Sequence, residues 1–193
     1  QCSGTLIGCE TFLTAAHCVV EDVLPSHYWV YLHNGGIHQV SSITYHPGYD
    51  GNLSGRDVAI VKLTDPVTGI DPTTINTTHD LDALGTGLDG TIVGFGRTGG
   101  GTDYGVKRYG AIVTTDCNTG ETAGEGNDKL VCWDYDASVG APGEDSNTCN
   151  GDSGGPLFMT FSGATEIVGV TSAGVTLDCL PTDHSWDASV YYN

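Results

Sequence analysis

The stretch Cys149-Asn150-Gly151-Asp152-Ser153-Gly154-Gly155-Pro156-Leu157 places one serine between glycines, directly after an acidic residue. Glycine permits tight backbone turns and the close approach of other groups, so Gly151 and Gly154 can present the Ser153 hydroxyl on a turn. The backbone N–H groups of Gly151 and Ser153 can then converge on a developing oxyanion. The stretch therefore predicts a serine nucleophile with an oxyanion hole beside it.

Two further segments supply the partners that a serine nucleophile needs. The segment Leu13-Thr14-Ala15-Ala16-His17-Cys18 offers a histidine as general base. Asp57 is followed at once by the apolar run 58–61, so we expect its carboxylate to be partly buried and to need a partner. We predict that His17 is this partner.

The order His17, Asp57, Ser153 along the chain is that of the chymotrypsin-type catalytic triad. With all three segments in place, the chain resembles the trypsin/chymotrypsin serine peptidases nearly from end to end. This resemblance implies a secreted serine endopeptidase that hydrolyses peptide bonds through a Ser-His-Asp triad and an acyl-enzyme intermediate. His17 would take the Ser153 proton, and Asp57 would hold the imidazole in the required tautomer. The oxyanion hole would be formed by the amides of Gly151 and Ser153.

The resemblance also implies an all-β fold of two antiparallel six-stranded β-barrels, with the active site in the cleft between them. We expect a first barrel over residues 1–72, which carries His17 and Asp57, a connector over 73–88, and a second barrel over 89–193. The residues themselves agree, because short stretches rich in β-branched side chains recur between Gly, Asn, Asp and Pro. The predicted strands are Gly4–Ile7, Tyr28–Leu32, Val58–Leu63, Thr91–Phe95, Gly110–Val113, Leu157–Phe161 and Glu166–Val170.

The residues that recognise the substrate are also implied by the resemblance. Ser172 would lie beside Asp57, on a strand that pairs with the substrate backbone. Counting back from Ser153 puts Asn147 at the base of the specificity pocket and Thr148 beside it, while Gly174 would leave the mouth open and Ser189 would line the far wall. A neutral base cannot offset the desolvation of a Lys or Arg side chain, so we expect cleavage after uncharged residues. The alternative, with the loop shifted, makes Asp145 the pocket base.

Seven cysteines in a chain of this length predict an extracellular or other oxidising compartment. From the residues alone, the pairing among Cys2, Cys9 and Cys18 stays open. The resemblance implies that Cys9 is left over, either as a buried free thiol or with a partner outside this chain. The disulfide bonds that it implies are Cys2 with Cys18, Cys117 with Cys132, and Cys149 with Cys179.

Charge excludes some classes of partner. The chain has 24 acidic and 6 basic residues, a formal charge of −18, so it offers no basic surface for nucleic acid or for an anionic membrane. No apolar run approaches the ~20 residues of a membrane span. We expect a monomer that acts on protein or peptide substrates and binds protein protease inhibitors. We expect no cofactor and no metal, since the acids of the loop 134–147 are predicted to be solvated.

Both ends of the chain depart from the family pattern. The resemblance implies that the first strand and the C-terminal helix are lacking, and that the chain is a fragment. Asp152 would then lack the cleaved N-terminal amine that pairs with this acid in the family. The alternative function is therefore a catalytically inactive homologue or a zymogen-like fragment that acts as a binding module. An esterase with a Gly-x-Ser-x-Gly elbow is disfavoured, because no helical or parallel-sheet pattern surrounds Ser153.

Overall fold

The computed structural model describes residues 1–53, 55–98, 101–136 and 145–193, so part of the predicted acidic loop 134–147 lies outside the described residues. Eleven strands and four short helices are present in these residues, which confirms the predicted all-β class. The strands are β1 (Thr5–Gly8), β2 (Thr11–Thr14), β3 (Trp29–Leu32), β4 (Gly36–Tyr45), β5 (Ala59–Leu63), β6 (Asp89–Gly94), β7 (Arg108–Thr115), β8 (Leu130–Tyr135), β9 (Pro156–Phe161), β10 (Ala164–Gly174) and β11 (Asp183–Ser189). The helices are the 3₁₀ turns Ala16–Cys18, Pro25–His27 and Gly120–Thr122, and the α-helix α1 (Leu81–Leu84).

The first sheet has five strands in the order β1-β2-β5-β4-β3, all antiparallel. Its outer strands β1 and β3 do not pair with each other in the described residues, so the sheet is a half-barrel, consistent with the expected barrel that lacks its first strand. Side chains of β3 and β5 alternate between a buried and a more exposed face, as expected for strands that cover a core on one side. That core includes Val30, Val40, Val61 and Leu63.

The second sheet closes on itself as a six-stranded antiparallel barrel in the order β10-β11-β8-β7-β6-β9. Closure removes the free edges that an open sheet would expose. Its interior is filled by fully buried side chains, among them Trp133, Leu157 and Val168. This barrel matches the architecture that the resemblance implied for the second half of the chain.

A third apolar cluster joins the two sheets. Leu13 of β2 packs with Ile167 and Val170 of β10, and so does Ala15, which directly follows β2. All four side chains are buried. Because His17 follows Ala15 by two residues, this cluster fixes the histidine segment against the second barrel.

The segment between β5 and β6 is bonded to both sheets. The amide of Thr73 donates to the carbonyl of Leu6 at 2.9 Å, and the amide of Asn76 donates to the carbonyl of Ile167 at 2.9 Å. The predicted domain boundaries at 72/73 and 88/89 remain predictions. Within the described ranges, the helices are too short to cross a bilayer.

Strand β11 buries an acid inside the barrel wall. Asp187 is fully buried, and within the described part of the chain no group lies at hydrogen-bonding geometry with either carboxylate oxygen. Burial raises the pKa of Asp187 well above its ordinary value. The folded protein therefore keeps a proton on Asp187 at a pH where the unfolded chain has lost it.

We expect Asp187→Asn to stabilise the protein near neutral pH. The unfolded chain ionises at about pH 3.9, so above that pH the wild-type free energy of unfolding falls as the pH rises toward the folded-state pKa. The amide cannot ionise, so the advantage of the variant should grow by on the order of 1.4 kcal/mol per pH unit in that window. Denaturant unfolding at a series of pH values from 3 to 8 measures the difference in the free energy of unfolding between the variant and the wild type. The exposed Asp89→Asn is the control, and an equal gain for both variants at all pH values would contradict the prediction.

Candidate active site

The nucleophile turn lies between the disulfide-bonded Cys149 and the start of β9. Gly151 and Gly154 have φ angles of +96° and +82°, a backbone region that favours glycine. A side chain at Gly154 would place its Cβ 2.6 Å from the Ser3 carbonyl oxygen, so only glycine fits. The sequence-based argument for glycine at these two positions is thus supported by their backbone angles.

Ser3 holds this turn in place, and the sequence analysis did not find it. Its amide donates to the carbonyl of Ser153 at 2.8 Å, and its hydroxyl donates to the carbonyl of Gly151 at 2.8 Å. The Ser3 carbonyl in turn accepts a hydrogen bond from the Thr14 hydroxyl at 2.8 Å. Ser3 is distant in sequence from the turn that it binds, so no local pattern could indicate this role.

Asp57 and His17 are joined by two hydrogen bonds. The backbone amide of His17 donates to Asp57 Oδ1 at 2.8 Å, and His17 Nδ1 lies 2.7 Å from Asp57 Oδ2. A carboxylate can only accept, so Nδ1 carries the proton and Nε2 is left free to accept one. Asp57 is fully buried, and the Ser172 hydroxyl donates to its Oδ2 at 2.7 Å.

His17 and Ser153 line one cavity of about 250 Å³ between the two sheets. No hydrogen bond joins His17 Nε2 to Ser153 Oγ in the described residues, although such bonds are often long before substrate binds. The amides of Gly151 and Ser153 donate to no acceptor among the residues that the structure describes, so both remain available to an oxyanion. Other residues that line the cavity are Leu53, Thr148, Cys149, Asn150, Thr171, Ser172, Ala173, Gly174, Thr176, Leu177, Cys179 and Asp183.

Asn147 and Ser189 were expected in the specificity pocket, but neither is among the residues that line this cavity. Asn147 and Asp145 line the neighbouring cavity, although the Asn147 side-chain amide donates to Asp183, which lines this one. Ser189 is buried where β11 pairs with Gly169, and its amide donates to the Lys129 carbonyl at 2.8 Å. Thr148, Ser172 and Gly174 do line the cavity, as expected.

Ser185 and not Ser189 lies close to the pocket. Its hydroxyl donates to Asn147 Oδ1 at 2.6 Å, and a Cβ at Gly174 would come within 2.8 Å of its oxygen. A strand advances by about 3.3 Å per residue, so Ser189 is about 13 Å further along β11.

Asp183 is the pocket residue that the sequence analysis missed. Its side chain is buried and lines the cavity, and its Oδ1 accepts the amides of Val175 and Thr176, each at 2.9 Å. Its Oδ2 accepts the Asn147 side-chain amide at 2.7 Å. A carboxylate has about four acceptor positions, so one remains open on Oδ2. Among the described residues, no lysine or arginine pairs with this carboxylate.

Asp152 lies behind the nucleophile turn, at a second cavity of about 350 Å³. Its carboxylate accepts the amide of Gly96 at 2.7 Å and the amide of Cys149 at 2.9 Å. Burial raises the pKa of Asp152, while these two hydrogen bonds and the positive charge of Arg108 oppose the shift. The acid is thus bonded to two amides, which stabilise its charged form.

Three disulfide bonds join Cys2 to Cys18, Cys117 to Cys132, and Cys149 to Cys179. The first braces the segment of His17, and the third ties the nucleophile turn to the loop that walls the pocket. Cys9 is a free thiol and is exposed, so the expectation of a buried thiol was wrong. Closed loops of this size contribute roughly 2–4 kcal/mol each to stability.

Comparison with known proteins agrees with this geometry. Residues 1–185 match the sequence model of the trypsin family. The chain is 31% identical to a fibrinolytic enzyme, isozyme C, of Lumbricus rubellus, over 94% of this chain and 80% of that one. It is 32% identical to the cercarial protease of Schistosoma mansoni, over 94% of this chain and 73% of that one. It is 31% identical to the brachyurin of Leptuca pugilator, over 92% of this chain and 77% of that one. The chain therefore belongs to the trypsin family of serine endopeptidases.

Proposed function

We propose that this chain cleaves peptide bonds with His17, Asp57 and Ser153 as its catalytic residues. The observation that carries the proposal is the buried carboxylate of Asp57, which is bonded to both the amide and the ring of His17. This arrangement leaves Nε2 without a proton on a ring that lines the same cavity as Ser153, so Nε2 can accept the serine proton.

The reaction follows from these positions. Ser153 Oγ attacks the substrate carbonyl carbon while its proton passes to His17 Nε2. The resulting oxyanion is stabilised by the amides of Gly151 and Ser153, and the imidazolium by Asp57. His17 then protonates the leaving amine, an acyl-enzyme remains on Ser153, and water releases it by the same steps.

We further propose that the preferred substrate residue before the cleaved bond is Lys or Arg. The expectation of an uncharged residue rested on Asn147 as the pocket base, but Asp183 adds a full negative charge to the cavity. Its open acceptor position can take a hydrogen bond from an ammonium or guanidinium group. A buried carboxylate without a cationic partner favours a substrate that brings one.

The setting of this activity is also a proposal. Three disulfide bonds fit an extracellular or other oxidising location. Protein or peptide substrates follow from membership of the family. We propose that the protein acts as a secreted monomer and is a target of protein protease inhibitors.

A fluorophosphonate probe tests the catalytic proposal, because it reacts only with an activated serine. We expect the purified protein to be labelled at Ser153, as peptide mass spectrometry will show, and we expect Ser153→Ala to abolish labelling. Loss of labelling in Asp57→Asn would support the buried carboxylate as a member of the triad. Labelling that persists in Ser153→Ala would refute the assignment, and a folded wild type that is never labelled would favour the inactive binding module.

A further inference from the structure

Leu53 and residues 55–57, here called the Asp57 segment, precede β5 and contact the second barrel. Trp186 Nε1 donates to the Leu53 carbonyl at 2.9 Å, and the Asn193 side-chain amide donates to the Gly55 carbonyl at 2.6 Å. A Cβ at Gly55 would come within 2.8 Å of the Lys129 carbonyl oxygen, so the two backbones are in close contact. The segment therefore belongs to the first sheet in sequence but is bound by side chains of the second barrel.

Trp186 is well placed to act as an anchor. It lies opposite Ala173 in the β10–β11 pairing, and its indole is buried in a cluster with Leu130 and the Cys117–Cys132 disulfide. Ala173 also lines the catalytic cavity. A buried indole N–H needs an acceptor, and the Leu53 carbonyl is the one that Trp186 uses.

Both ends of the segment reach the active site. The Leu53 side chain lines the cavity that contains His17 and Ser153. At the other end, Asp57 holds the His17 ring and receives the Ser172 hydroxyl from β10. A shift of the segment would therefore move one wall of the cleft and the orienting carboxylate together.

We propose that Trp186 is a positioning residue for catalysis: its indole N–H, assisted by Asn193, holds the Asp57 segment so that Asp57 and Leu53 are correctly placed across the cleft. This inference rests on the proposed role of Asp57. Displacements of about 1 Å can cost as much as 100-fold in rate when they misplace catalytic groups. Trp186 touches no reacting atom and acts only through the segment.

The test compares Trp186→Phe with Trp133→Phe. Both exchange a buried indole for a phenyl ring, but Trp133 Nε1 has no hydrogen-bond partner in the part of the chain that the structure describes. Two quantities are measured: kcat per site labelled by the fluorophosphonate probe, on a long peptide substrate, and amide hydrogen exchange of His17. The His17 amide reports on the position of Asp57, because it donates to Asp57 Oδ1.

We expect Trp186→Phe to lower kcat per labelled site about 10-fold and to accelerate exchange of the His17 amide at least about 5-fold. Trp133→Phe should change each quantity less than about 2-fold. Unchanged exchange and unchanged kcat in Trp186→Phe, or equal changes in both variants, would overturn the proposal. If the wild type has no activity, the proposed function fails, but the exchange measurement still decides whether Trp186 positions Asp57.

A second variant keeps the test decisive if Trp186→Phe does not fold. Asn193→Ala truncates an exposed side chain and removes its hydrogen bond to Gly55, together with a second one to the Ser189 carbonyl at the end of β11. It should accelerate His17 amide exchange in the same direction by a smaller factor. Exchange identical to the wild type in this variant would contradict the anchoring of the segment.

Discussion

Ser153→Ala is expected to lower kcat for peptide hydrolysis by about 10⁶-fold while the protein remains folded. Loss of the nucleophile in a serine-histidine-aspartate enzyme removes nearly all of the contribution of the triad, because its members act as one unit. Residual turnover above the uncatalysed rate, about 10³-fold, would come from the oxyanion hole and from substrate binding. The loss is measured from progress curves with a chromogenic peptide, at enzyme concentrations high enough to detect the remaining activity.

His17→Ala should have an effect of similar size, and the double variant should be little worse than either single one. Ser42→Ala, which changes an exposed serine on β4, is the control and should leave kcat unchanged. Additive losses in the double variant would show that Ser153 and His17 do not act together. A loss of less than about 100-fold in Ser153→Ala would mean that another group supplies the nucleophile.

Asp183→Asn is expected to change substrate preference more than any other substitution in the pocket. We expect kcat/KM for substrates with Arg or Lys before the cleaved bond to fall about 30-fold or more. Removing one member of a buried charge pair costs about 2–5 kcal/mol, and each 1.4 kcal/mol is tenfold. Substrates with an uncharged residue at this position should lose less than about 3-fold, because they do not use the charge.

Asp178→Asn is the matched control. It removes the same charge from an exposed acid of the loop that follows β10, and it should alter both substrate classes equally and slightly. A cleavage profile of the wild type dominated by uncharged residues would contradict the role of Asp183 and restore the expectation based on Asn147. A collapse of Arg cleavage in Asp145→Asn would instead point to the shifted loop.

Candidates for the catalytic residues could be selected from the sequence because each lies in a segment whose local chemistry indicates a role. Ser153 is flanked by glycines, His17 precedes a cysteine, and Asp57 opens an apolar strand. The family match over residues 1–185 confirms the family that these segments indicated. The all-β class was likewise predictable, since short β-branched stretches and regular turns leave little room for helix.

The predicted strands did not include β11 (Asp183–Ser189), and the expected pocket residues did not include Asp183. Its residues Asp183, Ser185 and Asp187 are polar but buried, so the strand lacks the apolar alternation that marks a half-buried strand. Asp183 is stabilised by groups at positions 147, 175 and 176, which only the fold brings to it.

The sequence by itself therefore determined the fold class, the family and the identity of the triad candidates, because these depend on short motifs and on local periodicity. Only the tertiary structure showed which carboxylate lines the cavity shared by His17 and Ser153, and which residues bind the segments that carry the triad candidates. Ser3, Asp183 and Trp186 form hydrogen bonds to residues that are distant in the chain. The energy of such contacts depends on burial and on geometry across two sheets, neither of which a local pattern records.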